Sequence, residues 1–229
     1  MSLAVRLARY APAYAEAQAA GLGFLGEEER SRRDSFKASA RREQFVAARW
    51  LARQMLMALR GGAPADWELS AIAHTPPRVL RGPDTNLLVG LSHSSDWIAC
   101  AVASFPVGID LETVTRPRKV APLARQACSD EEQAELATLP AEQQLQQFYR
   151  MWTQKEAWLK QRGLGLDFSL MRGLAALPSA AAQANALSLF DADAGLRLAL
   201  TAEQLPAAIT VEGAAFGERA WWRLEQRAS

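Results

Sequence analysis

The chain has 229 residues, 49% of them apolar, and its 26 basic against 25 acidic residues leave a formal net charge of +1. That length suits one large domain or two small fused ones with a sizeable core, and the near-neutral balance excludes a nucleic-acid binder held by bulk charge. No apolar run approaches the ~20 residues of a transmembrane helix, and the first ten residues lack the long apolar stretch of a signal peptide, so the cytosol is the expected compartment.

In chain order, residues 1–10 alternate apolar and basic side chains and predict a strand. Residues 12–20 are Ala-rich and predict a short helix ended by Gly21-Leu22-Gly23. Gly26-Glu27-Glu28-Glu29 opens a charged helix with acids in its first turn, as the helix dipole prefers. The clearest early helix runs from Arg42 to Leu59, with Phe45, Ala48, Trp50, Leu51, Met55 and Leu56 on its apolar side, and Gly61-Gly62 stops it. Arg30, Arg32, Arg33, Lys37, Arg41, Arg42, Arg49 and Arg53 face only Asp34 and Glu43 over this stretch. Taken singly these arginines read as solvated helix residues; together they suit a small polyanion.

Residues 63–86 read as irregular. Leu87–Ser92 and Trp97–Phe105 predict two strands joined by the turn His93-Ser94-Ser95-Asp96, and a third strand starts at Val107. A basic loop and a helix follow over 115–127. Ser129-Asp130-Glu131-Glu132 reads as a helix N-cap with acids behind it, and residues 141–161 predict a long helix. Residues 176–186 read as a loop or weak helix. Leu187–Phe190 and Leu196–Leu200 flank a hairpin turn, with further strands expected at Ala208–Val211 and Ala220–Leu224. The two cysteines, Cys100 and Cys128, lack metal-ligand spacing and are expected as reduced thiols. A faint echo relates the Trp50 helix to the Trp158 helix and suits a fused duplication with its seam near residue 106. The expected halves are 1–105 and 106–229.

Two acidic motifs carry the chemistry. In Val107-Gly108-Ile109-Asp110-Leu111-Glu112 the strand period buries Val107, Ile109 and Leu111 and turns Asp110 and Glu112 to the other face. Asp and Glu are poor strand formers and repel on one face, a cost that a cation between them removes. In Trp152-Thr153-Gln154-Lys155-Glu156-Ala157-Trp158-Leu159-Lys160 the helical period sets Glu156 and Lys160 on one face at i, i+4. Alone, that pair also reads as a surface salt bridge. Three carboxylates and an ammonium suit a divalent cation holding a phosphorylated substrate. The His93 turn offers hydroxyl and imidazole donors at a strand end, where phosphate contacts collect.

The Leu91-Ser92-His93-Ser94 turn, Gly108-Ile109-Asp110-Leu111-Glu112 and Trp152-x-x-Lys155-Glu156-Ala157-x-x-Lys160, in this order, resemble the 4′-phosphopantetheinyl transferases, specifically their larger pseudo-dimeric type. The likeness covers most of residues 28–170. It implies an α+β fold of two similar halves, each a long helix packed on a small, mostly antiparallel sheet, with coenzyme A in the cleft between them. It implies transfer of phosphopantetheine from coenzyme A to a serine of an acyl or peptidyl carrier protein, with release of 3′,5′-ADP. By the same resemblance Asp110, Glu112 and Glu156 hold Mg²⁺, with Mn²⁺ as an alternative. Asp110, Glu156 and Lys160 form the catalytic group. Lys160, Ser92 and His93 meet the phosphates, Arg32 grips the ribose 3′-phosphate, and Lys155 belongs to the motif as a further cofactor contact. A Gly-Lys-Pro segment usual in the family is replaced here by Thr75-Pro76-Pro77-Arg78, leaving Arg78 in the lysine's place without the glycine's backbone freedom. A monomer is implied, with no membrane or nucleic-acid partner, and Arg116, Arg118, Lys119 and Arg125 are expected to dock an acidic carrier. A two-metal nuclease and a non-enzymatic coenzyme A or carrier reader are the rival readings; the first leaves the Ser92-His93 turn and Lys160 unexplained, and the second leaves three retained carboxylates unexplained.

Overall fold

A computed structural model describes residues 2–115 and 119–227. Arg116 and Arg118, expected at a docking surface, lie outside the described residues. The chain forms two compact units, Met1–Val107 with Ala208–Ala214, and Gly108–Ala207 with Ala215–Ser229. Each sets a long helix on a mostly antiparallel sheet, which is the α+β class expected from the sequence.

The first unit opens with β1 (Leu3–Arg9), whose alternation buries Val5 and Leu7. Three helices follow: α1 (Tyr10–Ala19), α2 (Glu27–Asp34) and α3 (Ser39–Arg60). Gly61 and Gly62 take the left-handed φ values of 74° and 84° that end α3 without a Cβ penalty. Short strands β2 (Glu68–Leu69) and β3 (Val79–Arg81) lie in the stretch expected to be irregular, and a hairpin of β4 (Leu88–Ser94) and β5 (Trp97–Ala103) ends the run. β1 pairs antiparallel with β5, and β5 with β4. The core gathers Leu51, Met55 and Leu56 of α3 with Val89, Ile98, Cys100 and Val102 of the hairpin, and Trp67. The two-residue strand β10 (Val211–Glu212) runs parallel to β1, far from it in sequence. A Cβ on Gly213 would lie 1.9 Å from the Leu7 carbonyl oxygen, so only glycine lets this segment seat against β1.

The second unit repeats the plan. β6 (Val107–Thr113) leads into α4 (Val120–Ala127), α5 (Asp130–Thr138) and α6 (Ala141–Gln161). A short α7 (Phe168–Gly173) and β7 (Leu174–Pro178) precede the hairpin of β8 (Ala186–Asp191) and β9 (Leu196–Ala202), and β11 (Glu218–Gln226) completes a sheet ordered β6-β9-β8-β11-β7. In both units the first strand pairs with the second strand of the later hairpin, giving β1-β5-β4 and β6-β9-β8. α6 packs on β9, and Phe148, Tyr149 and Met151 in one cluster and Trp158, Leu159 and Leu224 in another fill the core. Of the stretch 176–186, read as loop or weak helix, residues 179–185 are irregular with a short 3-10 turn, but 176–178 close the strand β7. It pairs with β11 throughout, and pairing overrides a weak local preference.

A matching ion pair clips the short helix to the long one in each unit. Glu29, at the third position of α2, accepts a hydrogen bond from the Gly26 amide at 2.9 Å and from both Arg53 terminal nitrogens, at 3.0 and 2.6 Å. Glu132, at the third position of α5, accepts from the Ser129 amide at 2.8 Å and from the Lys155 ammonium. Trp50 precedes Arg53 by three residues, as Trp152 precedes Lys155. The repeat therefore aligns Trp50 with Trp152, and the sequence echo with Trp158 is out of register. The same pairs correct the expectation that every arginine of 30–53 is solvated. Arg53 and Glu29 are 0% exposed, and Arg49 is 6% exposed, donating to the Ser70 carbonyl. Burial draws Arg49 down to about 10 despite the attraction of Glu29.

Candidate active site

β6 carries Val107, Ile109 and Leu111 on one face and Gly108, Asp110 and Glu112 on the other. The second face is not open. A Cβ on Gly108 would stand 1.8 Å from the Ala157 carbonyl oxygen on α6 and 2.7 Å from Thr201 Oγ1. Helix and strand thus meet with glycine against the backbone next to an alanine, and the carboxylates that share the glycine's face are pressed toward α6. Asp110 is 3% exposed as a result, and residues 107–111 are buried on both sides of the strand.

On α6 the i, i+4 spacing delivers Glu156 and Lys160 to this place. The Lys160 ammonium lies 2.5 Å from Asp110 Oδ1 and 3.5 Å from Glu156 Oε2. Burial, then repulsion from Asp110 and Glu112, pushes the Glu156 carboxyl up to about 7 against the pull of Lys160. Burial alone would lower the Lys160 ammonium, but Asp110 and Glu156 outweigh it and hold it above its ordinary range. A carboxyl poised near neutrality beside an ammonium is equipped to exchange a proton and to hold a phosphate.

Asp110, Glu112, Glu156 and Lys160 are therefore brought together: local spacing predicts each pair on one face, and the resemblance implied that the two pairs meet. Among the described residues no group of three His, Cys, Asp or Glu side chains forms a ready-made metal cage; the Lys160 ammonium links Asp110 to Glu156 instead. The donor chemistry still fits a hard divalent cation. Three carboxylates outnumber one ammonium, burial and then the neighbouring carboxylates raise Glu156, and carboxylate oxygen is what Mg²⁺ and Mn²⁺ take.

Lys155 is placed elsewhere. It is 0% exposed, and its ammonium bonds to Glu132 and, at 3.0 Å, to the Ala127 carbonyl. One residue's rotation on a helix separates it from Glu156 by 100°, so motif membership gives it a clamping role in place of the expected cofactor contact. His93 and Ser94 belong to β4, and the turn is the two-residue Ser95-Asp96, with Ser95 at φ 51°. Gln44 donates to the Ser95 carbonyl at 2.9 Å and fixes that turn. Ser92 is buried and His93 exposed, as neighbours on a strand alternate. The Arg32 guanidinium stacks 4.8 Å from the Phe36 ring, which Arg41 covers at 5.1 Å. Burial and then the Arg32 charge lower Arg41, so this corner holds two cations in repulsion. Arg78 is exposed, with its backbone bonded in both directions to Ser70. The missed contributor is Gly108. Glycine inside a strand signals a close backbone approach, and that signal was present.

Residues 106–210 match the 4′-phosphopantetheinyl transferase superfamily. The chain is 35% identical over 107 residues to a 4′-phosphopantetheinyl transferase of Bacillus subtilis, covering 47% of this chain and 46% of that protein. It is 33% identical over 106 residues to 4′-phosphopantetheinyl transferase Sfp of Bacillus subtilis (strain 168), covering 46% of each. It is 33% identical over 144 residues to 4′-phosphopantetheinyl transferase HetI of Nostoc sp., covering 62% of this chain and 61% of that protein. The chain thus spans between about a third and three fifths of the length of the first relatives it matches.

Proposed function

We propose that this chain, whose residues 106–210 match the 4′-phosphopantetheinyl transferase superfamily, moves the phosphopantetheine arm of coenzyme A onto a serine of an acyl or peptidyl carrier protein. The observation that carries the reading is the Asp110–Lys160–Glu156 group, which lies within the matched residues and joins a near-neutral carboxyl to a phosphate-binding ammonium. The carrier serine oxygen forms the new bond to the phosphorus that bears pantetheine, and the bond from that phosphorus to 3′,5′-ADP breaks. Glu156 takes the serine proton. Lys160 holds a pyrophosphate oxygen as a point charge. Asp110, Glu112 and Glu156 would hold Mg²⁺, or Mn²⁺, which when bound offsets the charge of the pyrophosphate.

Ser92 and His93 are proposed as further phosphate donors. Arg32 is proposed for the ribose 3′-phosphate, a role supported by the second cation, Arg41, on the same ring. Arg78, which is exposed, is proposed for the nucleotide. The working form is proposed to be a cytosolic monomer. No helix among the described residues is long and apolar enough to cross a membrane. Lys119, at the N-cap of α4, and Arg125, in its last turn, are exposed and suit an acidic carrier. Arg125→Glu should raise the KM for carrier and leave that for coenzyme A unchanged; an unaltered carrier KM removes Arg125 from the docking surface.

Intact-mass spectrometry of an apo carrier protein incubated with this protein, coenzyme A and Mg²⁺ tests the reaction. The expected result is a gain of one phosphopantetheine that EDTA abolishes. No gain on either acyl or peptidyl carriers, with coenzyme A still bound, would replace the transferase reading with that of a binding module.

A further inference from the structure

The second unit contains a pocket lined by two buried arginines and two glutamates, with no lining residue in common with the Asp110–Glu156–Lys160 group. A pocket of about 290 Å³ is walled by Gln143, Gln146 and Arg150 of α6, Glu135 of α5, Arg197 of β9 and Glu218 of β11. Arg150 is 7% exposed and well held: it donates to Gln147 Oε1 at 2.9 Å and to Gln154 Oε1 at 3.1 Å, and stacks 4.0 Å from the Trp222 ring. Arg197 is 4% exposed and poorly held. Its guanidinium stacks 4.2 Å from the Phe190 ring, but its Nε and Nη1 have no hydrogen-bond partner among the described residues. The nearest countercharge, Glu218, approaches Nη1 only to 3.5 Å, and its side chain is 55% exposed. A charge-assisted hydrogen bond is roughly 2.7–2.9 Å long, so this is a loose pairing between a buried cation and a largely hydrated anion.

An arginine whose task were purely structural would have its buried donors filled. Arg197 instead leaves two of them buried and unfilled beside a pocket that a second buried guanidinium, that of Arg150, also lines. We propose that this pocket binds a phosphate group, which accepts hydrogen bonds from Arg197 and Arg150 and displaces the Glu218 carboxylate toward solvent. A tetrahedral group fits better than a planar carboxylate. The donors come from a helix on one side and a strand on the other, whereas one guanidinium fork satisfies a carboxylate alone. Electrostatics point the same way. Burial draws both arginines below their ordinary range, Arg150 to about 10; Glu135 opposes the fall at Arg150 and Arg197 deepens it, while Glu218 opposes that at Arg197. An anion held by both would reverse the fall. Glu135, engaged by Gln147, stays at the rim.

The test is a calorimetric titration of the whole protein with inorganic phosphate in EDTA, at ionic strength matched by chloride. Wild type should bind phosphate. Glu218→Gln, an exposed substitution that removes the competing carboxylate, should tighten binding about fivefold. Arg197→Gln should weaken it at least tenfold. Absence of binding to wild type overturns the proposal, and so does an affinity that Glu218→Gln leaves unchanged, since the phosphate would then sit elsewhere. If Arg197→Gln does not fold, the Glu218→Gln result decides. A parallel titration with glycerol 3-phosphate identifies the source. Binding of both ligands supports a site for phosphate monoesters, and binding of inorganic phosphate alone supports a site for the free ion.

Discussion

Glu156 ties the site to pH. In the folded chain its carboxyl holds a proton to about 7, against an ordinary value of 4.5. Between these limits the folded state binds more protons than the unfolded one, so the contribution of this group is full at acid pH and is lost as pH rises through 7. The loss is on the order of 3 kcal/mol, or several degrees in Tm. Glu156→Gln should therefore gain thermal stability relative to wild type between pH 5 and pH 8 in EDTA, and Mg²⁺ should recover stability at pH 8 in wild type only. A constant difference in Tm across that range would mean Glu156 titrates normally. The same substitution should reduce transfer by two orders of magnitude or more, read by carrier mass. Gly108 acts through distance alone. Gly108→Ala sets a methyl carbon against the Ala157 carbonyl and must push α6 from β6. The expected cost is about 1–3 kcal/mol in urea unfolding, with weakened Mg²⁺ binding because Asp110 and Glu156 separate. Unchanged cation affinity would show that the close approach does not set the site.

At the scale of elements, the carboxylate–cation clips govern how α2 and α5 are held. Lys155→Met leaves Glu132 buried without its cation and should cost roughly 3–5 kcal/mol. Adding Glu132→Gln should restore much of that, because the uncompensated charge is gone while the N-cap bond to Ser129 survives. Urea unfolding of the single and double variants measures both steps. The double variant should keep its affinity for coenzyme A; a tenfold loss would return Lys155 to the ligand. These clips also mark where sequence reading stops. Strand period and i, i+4 spacing are local rules, so Asp110, Glu112, Glu156 and Lys160 were legible, as were α3, α6 and the β8–β9 hairpin. The burial of Arg53, the turning of Lys155 toward Glu132 and the strand at 174–178 depend on what another element supplies. Arg53 reads as solvated until Glu29 is set beneath it. The alanines of β7 read as loop until β11 is set beside them.

For the whole molecule, the division into units does not follow the chain from end to end. Residues 208–214 complete the sheet of the first unit, with Arg6 Nε donating to Glu212 at 2.8 Å and Gly213 against Leu7. Residues 1–107 alone should therefore expose the β1 edge and self-associate. Size-exclusion chromatography would show a concentration-dependent shift; a stable monomer would mean that β10 is dispensable.

The seven residues Leu3–Arg9 and Val107–Thr113 hold the same place in the two units, with Val5 and Leu7 buried where Ile109 and Leu111 are. At the central position one strand has Arg6 and the other Asp110, charges of opposite sign. In an assembly of identical copies every substitution appears everywhere at once, and neither sign could be chosen without imposing it on both sites. Two copies on one polypeptide are free of that constraint. Each strand can keep one face apolar for folding while the other face differs, and here that second face carries Arg6 in the first unit and Asp110 in the second.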